Sequence, residues 1–416
     1  MSTEPSSAPR GLLTRYLSIE AASGVVLALC TVAALVLANS PWSPHYDALL
    51  AWHPVLELGS LRVELPFHIV VNDGLMTIFF FAVGLEIRRE LHAGELADVR
   101  RASLPAAAAI GGMVIPALLY FAFNPSGPTQ RGWGIPMATD IAFAVAALGL
   151  VGKRVVPALR VLLLALAIID DIGGVLVIAI FYSKGISLQM LGLAALATMI
   201  TLGMRAFRIR SPWAYALPAL VVWFGFHEGG VHATMAGVLM GILTPPQRGF
   251  GTPAQGSLDA PTSPSERLQH LLHPWVAFLV MPLFAFANAG VTLSWPAAEP
   301  AVAIGILLGL VLGKPLGVLG ASWLAVRFGL AQLPTGVGWR GVLVVGIVAG
   351  VGFTVALFIG NLGLPEPGAL ASAKLGILIG SAAALVLAVA AGRILLPQAV
   401  LGAARTAEEA ERSTER

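Results

Sequence analysis

The run Val161-Leu-Leu-Leu-Ala-Leu-Ala-Ile-Ile-Asp170-Asp171-Ile-Gly-Gly-Val-Leu-Val-Ile-Ala-Ile-Phe181 is long enough to cross a bilayer, and two adjacent carboxylates sit at its centre. A charge at that depth costs from about 3 to more than about 10 kcal/mol, depending on the reference state. Folding alone asks for no such expense. The chain has to fold as a helical bundle that turns this pair away from lipid, and the pair reads as a site for a cation or proton that moves. The rest of the chain agrees, since 57% of its 416 residues are hydrophobic and only 11% are charged, against about 25% charged in soluble domains. The net charge of +3 is no nucleic-acid signature. Cys30 stands alone in an apolar run, which excludes a disulfide framework. The N-terminus lacks a basic segment leading into an apolar core, so no cleaved signal peptide is expected.

A span takes about 20 apolar residues. Twelve candidate stretches lie near residues 19–38, 67–87, 103–123, 132–150, 157–181, 187–204, 212–225, 231–244, 271–292, 301–326, 338–361 and 371–395. Between the first two, residues 55–65 alternate around Gly59-Ser60, the pattern of a β-hairpin outside the membrane. Twenty of the 25 Lys and Arg residues fall in the two tails and the loops after even-numbered spans, four fall on the opposite side, and Lys314 falls inside a span. That bias predicts an even span count with both termini cytoplasmic. The fold expected is thus all-α and polytopic, a single transporter domain over residues 1–416. It has cytoplasmic tails at 1–12 and 404–416 and a Gly-, Pro- and Ser-rich cytoplasmic linker at 247–266.

Two spans carry signs of interruption. The fourth reads Gly132-Trp-Gly-Ile-Pro136-Met-Ala-Thr139-Asp140, and the eleventh reads Gly346-Ile-Val-Ala-Gly350-Val-Gly352-Phe-Thr354. Proline removes a backbone donor and disturbs the preceding turn. The freed polar groups survive in a membrane only inside protein or beside a wet cavity. Residues 103–181 and 301–395 each form a set of three spans with the interrupted member in the middle. The two sets begin on opposite faces, as inverted repeats do, and paired interruptions of this kind point to a transporter site at the midplane.

Four charged residues lie deep in spans: Asp140, Asp170, Asp171 and Lys314. Adjacent residues on a helix point about 100° apart, so one acid of the pair heads the site and the other faces its access route. Interacting acids titrate as a coupled pair, which suits proton exchange, and oxygen donors suit a small hard cation. Thr139 and the carbonyls of an unwound turn add further oxygens. Lys314 needs a partner, either an aspartate or the negative ends of broken half-helices, and Asp140 is placed to offset the positive ends. Asp73 reads as a cap on the second span. His270 and His273 have no cysteine or acid close by, so they are not read as a metal site.

These residues resemble the NhaA sodium/proton antiporters over about Leu13 to Leu396. The resemblance is carried by Val83-Gly-Leu-Glu-Ile-Arg-Arg-Glu90, Met137-Ala-Thr-Asp-Ile-Ala-Phe143, Ala167-Ile-Ile-Asp-Asp-Ile-Gly173, Gly230-Val-His-Ala-Thr234, His273-Pro-Trp, Pro282-Leu-Phe-Ala-Phe-Ala-Asn-Ala-Gly290 and Gly313-Lys-Pro-Leu-Gly317. The resemblance implies a secondary transporter rather than an enzyme. It would sit in the bacterial inner membrane, work without a cofactor and exchange Na+ or Li+ for H+ at Asp170 and Asp171. It also implies that Thr139 and Asp140 lie beside that pair on the broken fourth span and that Lys314 is the partner lysine. Glu86, Arg89, His270 and His273 would belong to a cytoplasmic pH-regulating funnel, His232 would influence the pH response, and the hairpin near Gly59 would join a homodimer. One departure is Gln269, where the family pattern has an acid before the first histidine. Other classes fit less well. The Gly-x-Gly-Asp signature of intramembrane aspartyl proteases is missing, and no selectivity-filter motif of a channel is present. A solute:sodium symporter of similar architecture would differ by taking up an organic substrate.

Overall fold

Length of apolar run, proline and glycine set the helix ends throughout this chain. The computed structural model describes residues 9–53, 55–58, 61–64, 66–183, 185–207, 209, 211–244, 264–293 and 298–397. The helices are α1 (Pro9–Ala38), α2 (Ser43–Leu50), α3 (Phe67–His92), α4 (Val99–Phe123), α5 (Ile141–Val151), α6 (Pro157–Phe181), α7 (Leu188–Ala206), α8 (Pro212–Glu228), α9 (Thr234–Leu243), α10 (Leu268–Ala289), α11 (Pro300–Arg327), α12 (Trp339–Ala349), α13 (Phe353–Gly363) and α14 (Pro367–Leu395). A 3-10 stretch, Pro128–Met137, precedes α5. Strand β1 (Val55–Leu58) pairs antiparallel with β2 (Leu61–Glu64), Val55 opposite Glu64 and Leu58 opposite Leu61.

Among the described residues, seven helices (α3, α4, α6, α7, α10, α11 and α14) are long and apolar enough to cross a bilayer. The number rises to ten if each of three bent pairs is one span. The bends are 116° between α1 and α2, 43° between Pro128–Met137 and α5, and 48° between α12 and α13. Helix α8, with 17 residues, and α9, with 10, fall short of that length. Residues 1–8, the hairpin turn at 59–60, most of the expected linker and the tail from 398 lie outside the described residues. Two boundaries differ from expectation. The first helix begins at Pro9 within the expected tail, and the helix leading into α10 begins at Pro264 within the expected linker. Proline is favoured at a first helical position because its missing N–H has no partner there anyway.

The chain divides into two compact units, one of residues 1–97 and 174–294, the other of residues 98–173 and 295–416. In the first unit, α3 and α9 pack backbone to backbone. A Cβ at Gly84 would lie 2.5 Å from the Val238 carbonyl oxygen, and one at Gly241 would lie 2.5 Å from that of Phe81. Asn39 ties the end of α1 to the segment after α10, giving its amide N–H to the Val291 carbonyl at 2.8 Å and accepting from the Leu293 N–H at 2.8 Å.

The second unit holds both broken pairs and most of the two three-span sets named above. Its apolar core joins α4, α5, α6, α11, α12 and α14 through residues such as Leu104, Leu148, Leu163, Val318, Val345 and Ala388. Helices α4 and α11 cross at Gly111 and Gly317, where a Cβ on either glycine would collide with the other's carbonyl oxygen. Small residues permit such an approach, and dispersion contacts then hold the pair together without any hydrophobic drive.

Helices α3, α10 and α11 each contain a wide π-type turn, at Val70–Leu75, Val276–Val280 and Gly309–Gly313 respectively. The sequence reading expected breaks only in the fourth and eleventh spans. The reason is local in two of the three. Pro282 and Pro315 lie just after the widened turns, and a proline ring would clash with the carbonyl four residues back in a regular helix. In α11 the wide turn ends directly before Lys314.

Replacing Gly317 with valine is expected to destabilise the protein by about 1–3 kcal/mol or more, since neither backbone can yield to the added methyls. Thermal unfolding of the detergent-purified variant measures this, and an unchanged Tm would show that α4 and α11 do not meet at this crossing.

Candidate functional site

The two breaks of the second unit cross each other. Gly352 lies so close to the Ala138 carbonyl that an added Cβ would stand 2.8 Å from its oxygen, and the Asp140 N–H donates to the Val351 carbonyl at 2.7 Å. Thr139 and Asp140 therefore stand where four helix ends converge. Glycines explain the second break only in part. Gly350 and Gly352 occupy the break itself, while Gly346 is inside α12, packed against Pro315.

Asp140 serves two helix N-termini at once. Its Oδ1 accepts from the Phe143 N–H at 3.2 Å, in the first turn of α5, and its Oδ2 accepts from the Thr354 N–H at 3.2 Å, in the first turn of α13. The Thr354 hydroxyl donates to the same Oδ2. A carboxylate at a helix N-terminus satisfies orphan donors and meets the positive end of the helix dipole. The Ser381 hydroxyl accepts from the Phe353 N–H at 3.2 Å and adds to the cap of α13.

Thr139 works at the opposite pole. Its hydroxyl donates to the Ala349 carbonyl at 2.9 Å, at the C-terminal end of α12, and accepts from Lys314 Nζ at 3.0 Å. Lys314 Nζ also donates to Asp170 Oδ2 at 2.6 Å. The positive side chain is thus shared between a carboxylate and, through one hydroxyl, the negative end of a half-helix. Lys314 has no exposed surface and Asp170 is only 3% exposed. The other oxygen of Asp170, Oδ1, is buried with no hydrogen-bond partner among the described residues. Asp171, the next residue on α6, is 9% exposed and within electrostatic reach of Lys314.

Chemically, this is a dry cluster of carboxylates, hydroxyl and ammonium with an open acceptor on Asp170. Oxygen donors of that kind suit a proton or a small hard monovalent cation. Among the described residues no group of three or more His, Cys, Asp or Glu is arranged to hold a metal ion.

The residues expected to tune pH response lie in the first unit and form separate contacts. Arg89 lies 3.6 Å from Glu86 and 3.0 Å from Glu90. The helix carrying His270 and His273 packs against the one carrying Glu86 and Arg89. His270 is exposed and His273 half-buried. His232 sits elsewhere, 2.8 Å from the Thr234 hydroxyl and 3.7 Å from Asp73. That pairing corrects the reading of Asp73 as a cap. Helix α3 starts at Phe67, after Pro66, so Asp73 is well inside it, within the π-type turn.

Thr354 and Ser381 were not anticipated as part of the site. Thr354 was readable as the polar residue that follows the glycines of the eleventh span. Ser381 left no signal, because a lone serine in an apolar helix has no distinguishing context.

The comparisons with known proteins identify the family. The profile of the family described as "Na+/H+ antiporter 1" matches residues 14–391. The chain belongs to that family. It is 50% identical to Na(+)/H(+) antiporter NhaA 2 of Sorangium cellulosum (strain So ce56), over 97% of this chain and 94% of that protein. It is 50% identical to Na(+)/H(+) antiporter NhaA 2 of Myxococcus xanthus (strain DK1622), over 97% and 93%. It is 46% identical to Na(+)/H(+) antiporter NhaA of Janthinobacterium sp. (strain Marseille), over 91% and 92%. Among solved structures, the sodium proton antiporter MjNhaP1 from Methanocaldococcus jannaschii at pH 8 superposes with a TM-score of 0.53 at 14% identity, covering 94% of this chain and 99% of that one, a likeness of fold. Family membership and the apolar helices together make this Na+/H+ antiporter 1 member an integral membrane protein.

Because the Lys314–Asp170 pair is buried, removing one partner leaves an uncompensated charge. Lys314→Met is expected to cost about 3–5 kcal/mol near neutral pH, and the double variant K314M/D170N is expected to recover most of it. Thermal unfolding of the three purified proteins measures both. Equal loss in the single and the double variant would contradict a direct pair.

Proposed function

We propose that this protein is a secondary active Na+(Li+)/H+ antiporter of the bacterial inner membrane, in which the cation and protons compete for Asp170 and Asp171. Its relatives bear the name of Na+/H+ antiporters. The observation that carries the reading onto particular side chains is the 2.6 Å Lys314–Asp170 contact, sealed from solvent, beside a buried Asp170 oxygen with no hydrogen-bond partner among the described residues.

With neither sodium nor protons on the acids, Lys314 supplies the positive charge that Asp170 requires. Sodium or lithium arriving at Asp170 and Asp171 replaces that charge, and Lys314 keeps its bond to the Thr139 hydroxyl. After the ion leaves on the other side, protons take its place. Two protons inward for one sodium outward moves one net charge, so the membrane potential contributes about 2.3 kcal/mol per 100 mV to each cycle. Asp140 stays on the two helix N-termini as a fixed counter-charge.

Alternating exposure follows from movement around the crossed breaks. The antiporter has twelve spans, with α8 and α9 as short members, and two inverted three-span repeats at residues 103–181 and 301–395. The distribution of Lys and Arg supports cytoplasmic termini. The β1–β2 hairpin lies on the outer side and joins two protomers. Glu86, Arg89, His232, His270 and His273 adjust activity to pH from the first unit.

In proteoliposomes with an imposed pH gradient, the native protein is expected to dissipate the gradient on addition of sodium. Asp170→Ala and Asp171→Ala are each expected to abolish that response. Full activity in either variant would refute the assignment of the pair.

A further inference from the structure

We propose that Thr354 is a positioning residue of the transport site. Its hydroxyl holds the Asp140 carboxylate across the two helix breaks, and through Asp140 it sets the adjacent Thr139 hydroxyl. The inference rests on the antiporter reading above.

Helix α13 lacks a side-chain cap of its own. Helix α13 starts at Phe353, and the residue at its N-cap is Gly352, which has no side chain to offer its first N–H groups. Those donors need acceptors from elsewhere. Ser381 takes the Phe353 N–H and Asp140 Oδ2 takes the Thr354 N–H. These two bonds satisfy the Phe353 and Thr354 N–H groups, so the Thr354 hydroxyl is not needed for either. The hydroxyl nonetheless goes to Asp140 Oδ2, the oxygen its own N–H already reaches.

Two donors from one residue on one oxygen define how the carboxylate is rotated. Oδ1 is then directed to the Phe143 N–H. Turning the carboxylate would break bonds to both half-helices together. Thr354 has no exposed surface, so water does not replace its hydroxyl, and hydrogen bonds to ionised acceptors are the strong ones.

The consequence falls on the neighbouring residue. Thr139 precedes Asp140 in the same unwound segment, and its hydroxyl is poised between the Ala349 carbonyl at 2.9 Å and Lys314 Nζ at 3.0 Å. Backbone that holds Asp140 in place also holds Thr139 in place. A loosened Asp140 misplaces the hydroxyl that Lys314 needs when sodium displaces it from Asp170. The effect therefore belongs on apparent sodium affinity rather than on turnover.

Valine has the shape of threonine, keeps the backbone cap and removes only the hydroxyl. Serine keeps the hydroxyl and removes only the methyl. In sodium titrations of proteoliposomes, Thr354→Val is expected to raise the apparent KM for sodium about tenfold with the maximal rate within about twofold, while Thr354→Ser stays within about twofold on both, as loss or retention of one charge-assisted hydrogen bond requires. Thr354→Cys, a weaker donor, is expected to fall between them and provides the comparison should the valine variant unfold. A wild-type KM in the valine or cysteine variant overturns the proposal. Equal loss in the valine and serine variants also overturns it, because the methyl would then be the part that matters. If the wild-type protein itself fails to exchange sodium for protons, the underlying reading fails instead, before any variant is compared.

Discussion

An ammonium group with no exposed surface has to meet an anion, and in this protein Lys314 meets Asp170 at 2.6 Å. Much of the second unit exists to make that contact possible. The wide turn Gly309–Gly313 and Pro315 bracket the lysine on α11. The glycine crossing at Gly111 and Gly317 brings α4 against the same stretch, with Gly112 close to the lysine stem. An apolar core without these features would bury more hydrocarbon, and replacing a buried ion pair by apolar residues is often neutral or stabilising. The pair is therefore better explained by what it does than by what it adds to stability.

The crossed breaks solve the electrostatic problem that follows from interrupting helices in an apolar interior. Four half-helix ends bring unsatisfied N–H and C=O groups into one small volume, and each needs a partner. Asp140 serves two N-termini, and Lys314 reaches a C-terminus through the Thr139 hydroxyl. Charges of opposite sign are thus placed on dipole ends of opposite sign. Asp170 and Asp171, the pair proposed for exchange, lie on an unbroken helix, α6.

The outline of this arrangement was legible in the sequence because burying charge is costly enough to be read without a structure. Asp140, Asp170, Asp171 and Lys314 stood out as charges in apolar runs, and Pro136 with Gly350 and Gly352 marked where the helices break. Asp140 was placed to offset the positive ends of the broken half-helices, which is where its carboxylate lies. What could not be read was geometry that depends on another segment. Thr354 and Ser381 act on residues distant in the chain, so no local pattern reveals them. His232 and Asp73 meet only because α3 and the α8–α9 turn are folded together. The π-type turns had a local signal in Pro282 and Pro315, but a proline in an apolar helix has several outcomes, and a widened turn is only one of them.

The central claim is that a monovalent cation and protons exclude each other at Asp170 and Asp171. The direct measurement is proton release from purified protein in weakly buffered detergent solution on addition of sodium, across a pH series. The account predicts release in the native protein, approaching two protons per sodium bound as the pair becomes protonated toward lower pH. It predicts none from a variant with both acids replaced by asparagine. Sodium binding to the native protein with no proton released at any pH would contradict it.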